Sequence, residues 1–477
     1  MLYRAFVTVG GLTMVSRVLG FIRDILIAAA LGTGGVADAF IAAFRLPNLF
    51  RRLFAEGAFN SAFVPLFSKR LSDHSDADAV RFANEAMSGL AFVLVIFSAI
   101  MILAMPWVMV VLVPGFPAEP AKYGLTVALA QIMFPYLFCM SLVALLSGVL
   151  NALQRFWAAA AAPIILNIVL IAAMVLAIAL GHANSARAGY VLAVGVALAG
   201  FAQLAMLWVA VRRAGLRLSF RLPRLTDDMR RLVSLGIPGV IAGGVTHINV
   251  MVGTMIASLQ AGAVSYLYYA DRLYQLPLGI VGIAIGVVLL PELSRRLRAG
   301  DQTGVIDSQN RSLEFALLLT LPAAVALAVA ASPIISVLFE RGAFTAHDTP
   351  ATAMALAAFA AGLPAFVMIK VFQPAFFARE DTRTPMVFAT VNMLINVAVG
   401  LALFLLFRAW GWMPHLGIAV ATTLAGWVNA LLLWSTLART GEFAWDRRLK
   451  RNLPLIALAS IAMGVVLWLA LPYLAPY

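Results

Sequence analysis

The stretch TMVSRVLGFIRDILIAAALGTGGVADAFIAAFRLPNLFRRLFAEGAFN, residues 13–60, reads as two long apolar helices joined by a glycine turn at Gly32 to Gly35. Its apolar runs carry Arg17, Arg23, Arg45, Arg51 and Arg52. One arginine at the centre of a bilayer costs about 2.5–3.5 kcal/mol on insertion scales, so a cluster points to a wet cavity that receives something anionic. Internal ion pairing is the competing account and suits some members: Arg52 and Glu56 stand at i,i+4, and Arg17 and Asp24 lie two turns apart on one face. Arg51 has no acidic residue three or four positions away.

Outward from that stretch, composition sets the class. The chain has 477 residues, of which 63% are hydrophobic and 12% charged, and its mean hydropathy is +0.96. A soluble globule is about 45–50% apolar, so the sequence predicts an all-α polytopic membrane protein. Apolar runs long enough to cross about 30 Å of hydrocarbon place thirteen spans at 4–31, 36–67, 82–112, 123–150, 158–180, 190–211, 232–258, 264–293, 310–338, 350–378, 385–407, 416–438 and 452–472. The first span contains Arg17, Arg23 and Asp24 and no small-residue cleavage site, so it reads as retained and not as a signal peptide.

A formal charge of +13 would suggest nucleic acid on a soluble face. Here its distribution says otherwise. Alternate inter-span segments hold 22 Lys and Arg against 4 in the opposite set, which predicts a cytoplasmic N-terminus and, with thirteen spans, a C-terminus on the far side. Eight of the 34 basic residues remain inside the spans: Arg17, Arg23, Arg45, Arg51, Arg52, Arg272, Arg311 and Lys370. Arg311 lies at a span end and can snorkel. Against the other seven stand the acids Asp24, Asp38, Glu56 and Asp271, leaving a surplus of about three positive charges for a multiply charged anion.

The basic segment 212–231, read as a cytoplasmic linker resting on anionic headgroups, divides the chain into related halves. GVADAFIAAFRL (35–46) lies on GAVSYLYYADRL (262–273), pairing Arg45 with Arg272, and VPLFSKRL (64–71) lies on LPELSRRL (290–297) after a one-residue slip. The expected layout is an N-terminal lobe at 1–215, a basic linker at 216–231, a C-terminal lobe at 232–440 and an additional helix at 441–477. Two pseudo-symmetric six-helix lobes would flank a central cationic cavity near mid-depth. Most of the charge comes from the first lobe, because the second lobe's opening helix, GIPGVIAGGVTHINVMVG (236–253), has no fixed charge. Pro238 among glycines, and Pro47 between Arg45 and Arg51, mark expected bends.

Catalytic chemistry finds no foothold. Neither GxxxxGK[ST], HExxH nor GxSxG occurs, and the intramembrane acids suit arginine partners better than a carboxylate dyad. Cys139 is the single cysteine, and the five histidines lack metal-ligand spacing. A transporter without a cofactor or metal is expected, and in the absence of a nucleotide site it would couple to the membrane potential or an ion gradient.

The segments SRVLGFIRD (16–24), ADAFIAAFRLPNLFRRLFAEGAFNSAFVP (37–65), YYADRLYQLPLGI (268–280) and RGAFTAHD (341–348) closely resemble the MurJ, or MviN, family of bacterial lipid II flippases, part of the multidrug, oligosaccharidyl-lipid and polysaccharide exporter superfamily. The resemblance runs over nearly the whole chain. It implies movement of an undecaprenyl-pyrophosphate glycopeptide from the inner to the outer leaflet of the bacterial cytoplasmic membrane by alternating access of two lobes. Membrane lipids, and cell-wall synthesis or division proteins, are the implied partners. Family positions needed for activity fall on Arg17, Arg23, Arg51 and Arg272, with Asp38 and Glu56 as matched acids. Asp24, Arg45, Arg52, Asp271 and Lys370 are read as supporting or gating residues. A fourteenth span, usual in the family, has no counterpart before Tyr477. Competing readings are a flippase for another polyprenyl-pyrophosphate-linked oligosaccharide and a membrane enzyme acting on polyprenyl pyrophosphates. A drug exporter would show intramembrane acids without an arginine surplus, and a passive scaffold leaves the buried arginines unexplained.

Overall fold

A computed structural model describes residues 2–51, 59–73, 76–221 and 226–474. The described elements are α-helices apart from one 3₁₀ turn, Phe116–Ala118. In order they are α1 (Leu2–Leu31), α2 (Gly35–Arg51), α3 (Phe59–Asp73), α4 (Asp76–Leu112), α5 (Pro120–Met133), α6 (Pro135–Ala152), α7 (Trp157–Ala179), α8 (Ala186–Arg213), α9 (Asp227–Ala257), α10 (Ala263–Arg298), α11 (Gln302–Val329), α12 (Ala331–Phe339), α13 (Thr349–Ala360), α14 (Leu363–Phe377), α15 (Arg383–Ala409), α16 (His415–Arg439) and α17 (Arg447–Leu474). Nine segments among the described residues are long and apolar enough to cross a membrane. The remaining expected spans coincide with α1, α2 with α3, α9, and α10. Three of these four regions carry intramembrane arginines.

Three expected spans are interrupted: that at 123–150 divides into α5 and α6 at Phe134, that at 310–338 into α11 and α12 at Ala330, and that at 350–378 into α13 and α14. Inside a bilayer each backbone group freed by such a break, or by proline, needs a protein partner. Pro106 in α4 has no N–H to offer the Ile102 carbonyl, and the Gln131 side chain donates to that carbonyl at 2.9 Å instead. At the α13–α14 break, Thr423 Oγ1 donates to the Ala358 carbonyl at 2.7 Å and Trp427 Nε1 to the Ala361 carbonyl at 3.0 Å. By contrast, α9 is continuous through Pro238.

The chain resolves into two compact units, one of Met1–Ile248 with Arg341–Phe344, the other of Asn249–Glu340 with Thr345–Tyr477. In the first unit, α1 packs chiefly on α7, α7 on α8, and α2 on α5. Phe63 stacks on both Phe67 and Phe82 with ring centroids 5.5 Å apart. The basic segment is no loose linker: Leu216 and Leu218 are buried while Arg217 and Ser219 are exposed, in extended alternation. Its backbone is pinned to α4, with the Ser219 N–H donating to Asn84 Oδ1 at 2.8 Å and the Arg221 N–H to Ser88 Oγ at 2.9 Å. Residues 216–221 are thus held by α4 while Arg217 and Arg221 stay exposed.

The second unit has an apolar core drawn from α10, α11, α14, α16 and the start of α17, including Ile285, Leu313, Phe372, Leu433 and Leu449. α17 is tied to α11 by charge. Glu314 accepts from Arg448 Nε at 3.3 Å and from Asn452 Nδ2 at 2.6 Å, and Arg311 pairs with Asp307, Glu314 and Asp446. Arg311 was expected to snorkel to the interface; its acidic partners instead hold it in a network.

Candidate functional site

On α1, Ser16, Gly20 and Arg23 form one stripe at i, i+4 and i+7, and Asn167 of α7 lies against it. Asn167 Nδ2 donates to the Ser16 carbonyl at 2.9 Å, and Asn167 Oδ1 accepts from Arg23 Nη1 at 3.0 Å. Asn167 lies over Gly20, where an added Cβ would stand 3.6 Å from its amide, an ordinary contact distance. Arg23 also turns Nε and Nη2 onto Asp24 Oδ1, at 3.1 and 2.8 Å. Its side chain retains 12% exposure and that of Asp24 only 5%. Asp24 thus pairs with Arg23, and the alternative pairing with Arg17 two turns away is not made. Arg17 is half-buried and has no hydrogen-bond or ion-pair partner among the described residues.

α2 carries the next two arginines. Arg45 and Arg51 are half-buried, and Arg51 Nε donates to Asn48 Oδ1 at 3.3 Å. Asn48 in turn donates Nδ2 to the Phe44 carbonyl at 3.1 Å, just after Pro47. Arg52 and Glu56 lie outside the described residues.

Asp38, also on α2, meets a lysine. It is fully buried and accepts from Lys122 Nζ at 2.9 Å, while the ammonium also sits 4.1 Å from the Phe116 ring centroid. Lys122, one residue before the expected span at 123–150, occupies the first turn of α5 and is itself buried. Charge–charge attraction in low dielectric requires such excellent geometry to offset desolvation. Asp38 therefore reads as a structural partner of Lys122.

In the second unit, Asp271 and Arg272 lie on α10. Asp271 accepts from Gln275 one turn on, and the Arg272 guanidinium stacks 4.6 Å from the Tyr268 ring centroid. Lys370, on α14, is exposed. Its aliphatic stem passes Gly282 of α10, where a Cβ would lie 4.0 Å from Lys370 Cγ. Ten residues, or about 15 Å of helix, separate that contact from Arg272. Asn167 and Lys122 were the residues that sequence reasoning missed. A lone Asn inside WAAAAAPIILNIVLIAAMVLAIA, and an Asp38 with no basic residue one turn away, were the available signals.

Arginines held half-buried on apolar helices, together with an all-α fold of two units, define a polytopic membrane protein. The fold is shared with a multidrug resistance MATE family transporter of the MOP superfamily in an inward-facing conformation, which superposes with TM-score 0.73 over 91% of this chain and 98% of its own at 11% identity. The family is more particular. The sequence profile described as "Lipid II flippase MurJ" matches residues 27–477. A "Probable lipid II flippase MurJ" of Rhizobium meliloti (strain 1021) is 52% identical over 99% of this chain and 88% of its own length. The solved structure titled "Lipid II flippase MurJ, inward closed conformation" superposes with TM-score 0.79 at 26% identity, over 97% of this chain and 92% of its own. The chain belongs to the lipid II flippase MurJ family, a family of multi-pass membrane transporters and not of enzymes.

Proposed function

We propose that this protein moves a lipid-linked peptidoglycan precursor across the bacterial cytoplasmic membrane, from inner to outer leaflet by alternating access, with its pyrophosphate bound by Arg17, Arg23, Arg51 and Arg272. The observation that carries this reading is the clamp on Arg23. Asp24 accepts from Nε and Nη2 and Asn167 from Nη1, so the guanidinium plane is fixed and a phosphate would meet its Nη1–Nη2 end. Arg17, one turn and a half before it and unpaired among the described residues, adds charge that internal carboxylates do not cancel.

The excess of 22 basic residues against 4 between alternate spans supports a cytoplasmic N-terminus, so the substrate enters from the side where it is made. Without a nucleotide site, coupling falls to the membrane potential or an ion gradient, since one charge moved through 100 mV is worth about 2.3 kcal/mol.

The test is movement of a fluorescent lipid-linked disaccharide pentapeptide between leaflets of proteoliposomes, read by accessibility to an impermeant quencher. Arg23→Lys keeps the charge but loses the fork, and should slow movement at least ~10-fold at unchanged expression, the cost of about 1.4 kcal/mol. Near-parent activity in this variant would reduce Arg23 to a generic charge. Phosphate release without leaflet movement would favour the enzyme reading.

A further inference from the structure

Between α7 and α8 the packing is close through most of the shared length. Gly195 admits Ala173, whose Cβ would stand 3.2 Å from a Cβ at 195, and Gln203 Nε2 donates to the Ala162 carbonyl at 2.6 Å. Toward the C-terminal end of α8 the pair opens into a cavity of about 290 Å³ lined by Trp157, Ala205, Met206, Val209, Ala210 and Arg213. Ala205, Val209 and Arg213 succeed one another at i, i+4 and i+8, so the floor is a single apolar face ending in a guanidinium. Trp157 is 48% exposed and is the first residue of α7, a span end of the kind where tryptophan is enriched.

The mouth of this groove carries two guanidiniums. Arg155 Nη1 donates to the Arg213 carbonyl at 3.4 Å, which brings a second exposed guanidinium to the end of α8. The tight turn that delivers it uses Gln154 at φ 58° and the bond from the Arg155 N–H to the Leu150 carbonyl at 2.8 Å. Neither Arg155 nor Arg213 makes an ion pair among the described residues, whereas the neighbouring Arg212 lies over the Trp208 ring, 5.6 Å from its centroid. A helix C-terminus ordinarily offers orphan carbonyls that would welcome an ammonium. Here the carbonyls of Ala210, Val211 and Arg212 accept from the backbone of residues 214–216, and that of Arg213 accepts from Arg155. Two guanidiniums without ion pairs favour a headgroup of net negative charge over a zwitterionic one, whose cationic end would meet like charge. No lining residue is acidic.

We propose that the α7–α8 groove binds an anionic glycerophospholipid of the surrounding bilayer, one acyl chain lying along Ala205, Val209 and Trp157 and the phosphate between Arg155 and Arg213. On the orientation proposed above, the lipid belongs to the cytoplasmic leaflet. It is annular, separate from the arginines on α1 and α2, and its recognition does not depend on what the protein transports.

The full chain, reconstituted in bilayers of mixed phosphatidylcholine and phosphatidylglycerol, tests this through tryptophan quenching by dibrominated lipids. The difference between parent and Trp157→Phe isolates the Trp157 signal. That signal should be quenched at least ~3-fold more effectively by brominated phosphatidylglycerol than by brominated phosphatidylcholine at equal mole fraction. Arg155→Gln with Arg213→Gln should erase the preference and leave the quenching itself. Arg217→Gln with Arg221→Gln, which removes equal charge from the same end of the unit, should leave the preference intact. Equal loss in both double variants would make it a general surface attraction and overturn the site. Absence of Trp157 quenching by either lipid would do the same, showing the groove covered by protein, as by a second copy. Relief of quenching by about one mole per cent of unlabelled polyprenyl pyrophosphate, but not of phosphatidylglycerol, would reassign the groove to the substrate's own tail.

Discussion

Arg23 and Asp38 are both charged groups in apolar helices, and the structure gives them opposite employments. Asp38 is sealed with Lys122 at 5% and 0% side-chain exposure for cation and acid, while Arg23 keeps part of its surface and is steadied by an amide. Removing one member of a buried pair strands the other, at a cost of about 3–5 kcal/mol, whereas replacing both by apolar residues is often neutral. Lys122→Ala should therefore sharply lower the thermal stability of the purified protein, and Asp38→Leu with Lys122→Met should restore most of it. If the double variant is as unstable as the single one, Asp38 has a further role that the pair does not describe. Asn167→Leu makes the complementary case: it removes the acceptor for Arg23 Nη1 and the donor to Ser16 while filling similar volume. Leaflet movement should fall ~10-fold or more with stability changed far less, measured as flipping rate beside melting temperature. Equal loss of both would make Asn167 a packing residue.

At the scale of elements, the C-terminal end of α1 is finished by other parts of its unit. The Ala29 carbonyl accepts from the Ala343 N–H at 2.8 Å and the Ala30 carbonyl from the Asn184 N–H at 2.7 Å, which satisfies carbonyls that a helix end leaves orphaned. Two glycines make the approach possible. Gly32 has φ 64° and a Cβ there would stand 2.5 Å from the Ala343 oxygen; Gly342 has φ 63° and its Cβ would stand 2.3 Å from the Ala29 oxygen. Alanine at a positive φ costs roughly 1–2 kcal/mol before any clash, so Gly32→Ala and Gly342→Ala should each lower the melting temperature. Because both spoil one contact, the double variant should be little worse than the worse single variant, within ~0.5 kcal/mol. Additive losses would mean two independent contacts. The glycine turn at 32–35 was legible in the sequence, and so was the helix order, because apolar run length and turn residues act locally. The docking of RGAF on α1 was not, nor the satisfaction of Ile102 by Gln131. Proline announces that a carbonyl will be freed, yet only the tertiary fold decides which side chain takes it. The same limit governs the site: the arginine surplus could be counted, but Asp24's choice of Arg23 over Arg17 depended on Asn167, 144 residues from Arg23 in sequence.

For the whole molecule, direction of transport hangs on which face is cytoplasmic, and the argument for it is one of charge. Basic residues crowd one set of inter-span segments, 22 against 4, and translocating them against the membrane potential is unfavourable. Ser219 and Ala183 report the two faces within the first unit. Ser219 lies in the strap after α8, held to α4 through its backbone N–H with its side chain exposed, and Ala183 lies exposed in the turn between α7 and α8. Neither side chain supports a contact, so cysteine is tolerable at both. Cys139, the one native thiol, is buried in α6 and can be removed as Cys139→Ser. In that background, in intact cells, Ala183→Cys should react with an impermeant maleimide and Ser219→Cys should not. Permeabilised cells should label both, which shows that the strap thiol is sterically open and shielded only by the membrane. Labelling of Ser219→Cys from outside, with Ala183→Cys protected, would invert the map. Arg155 and Arg213 would then face the outer leaflet, and substrate would have to enter from the side opposite to the one proposed.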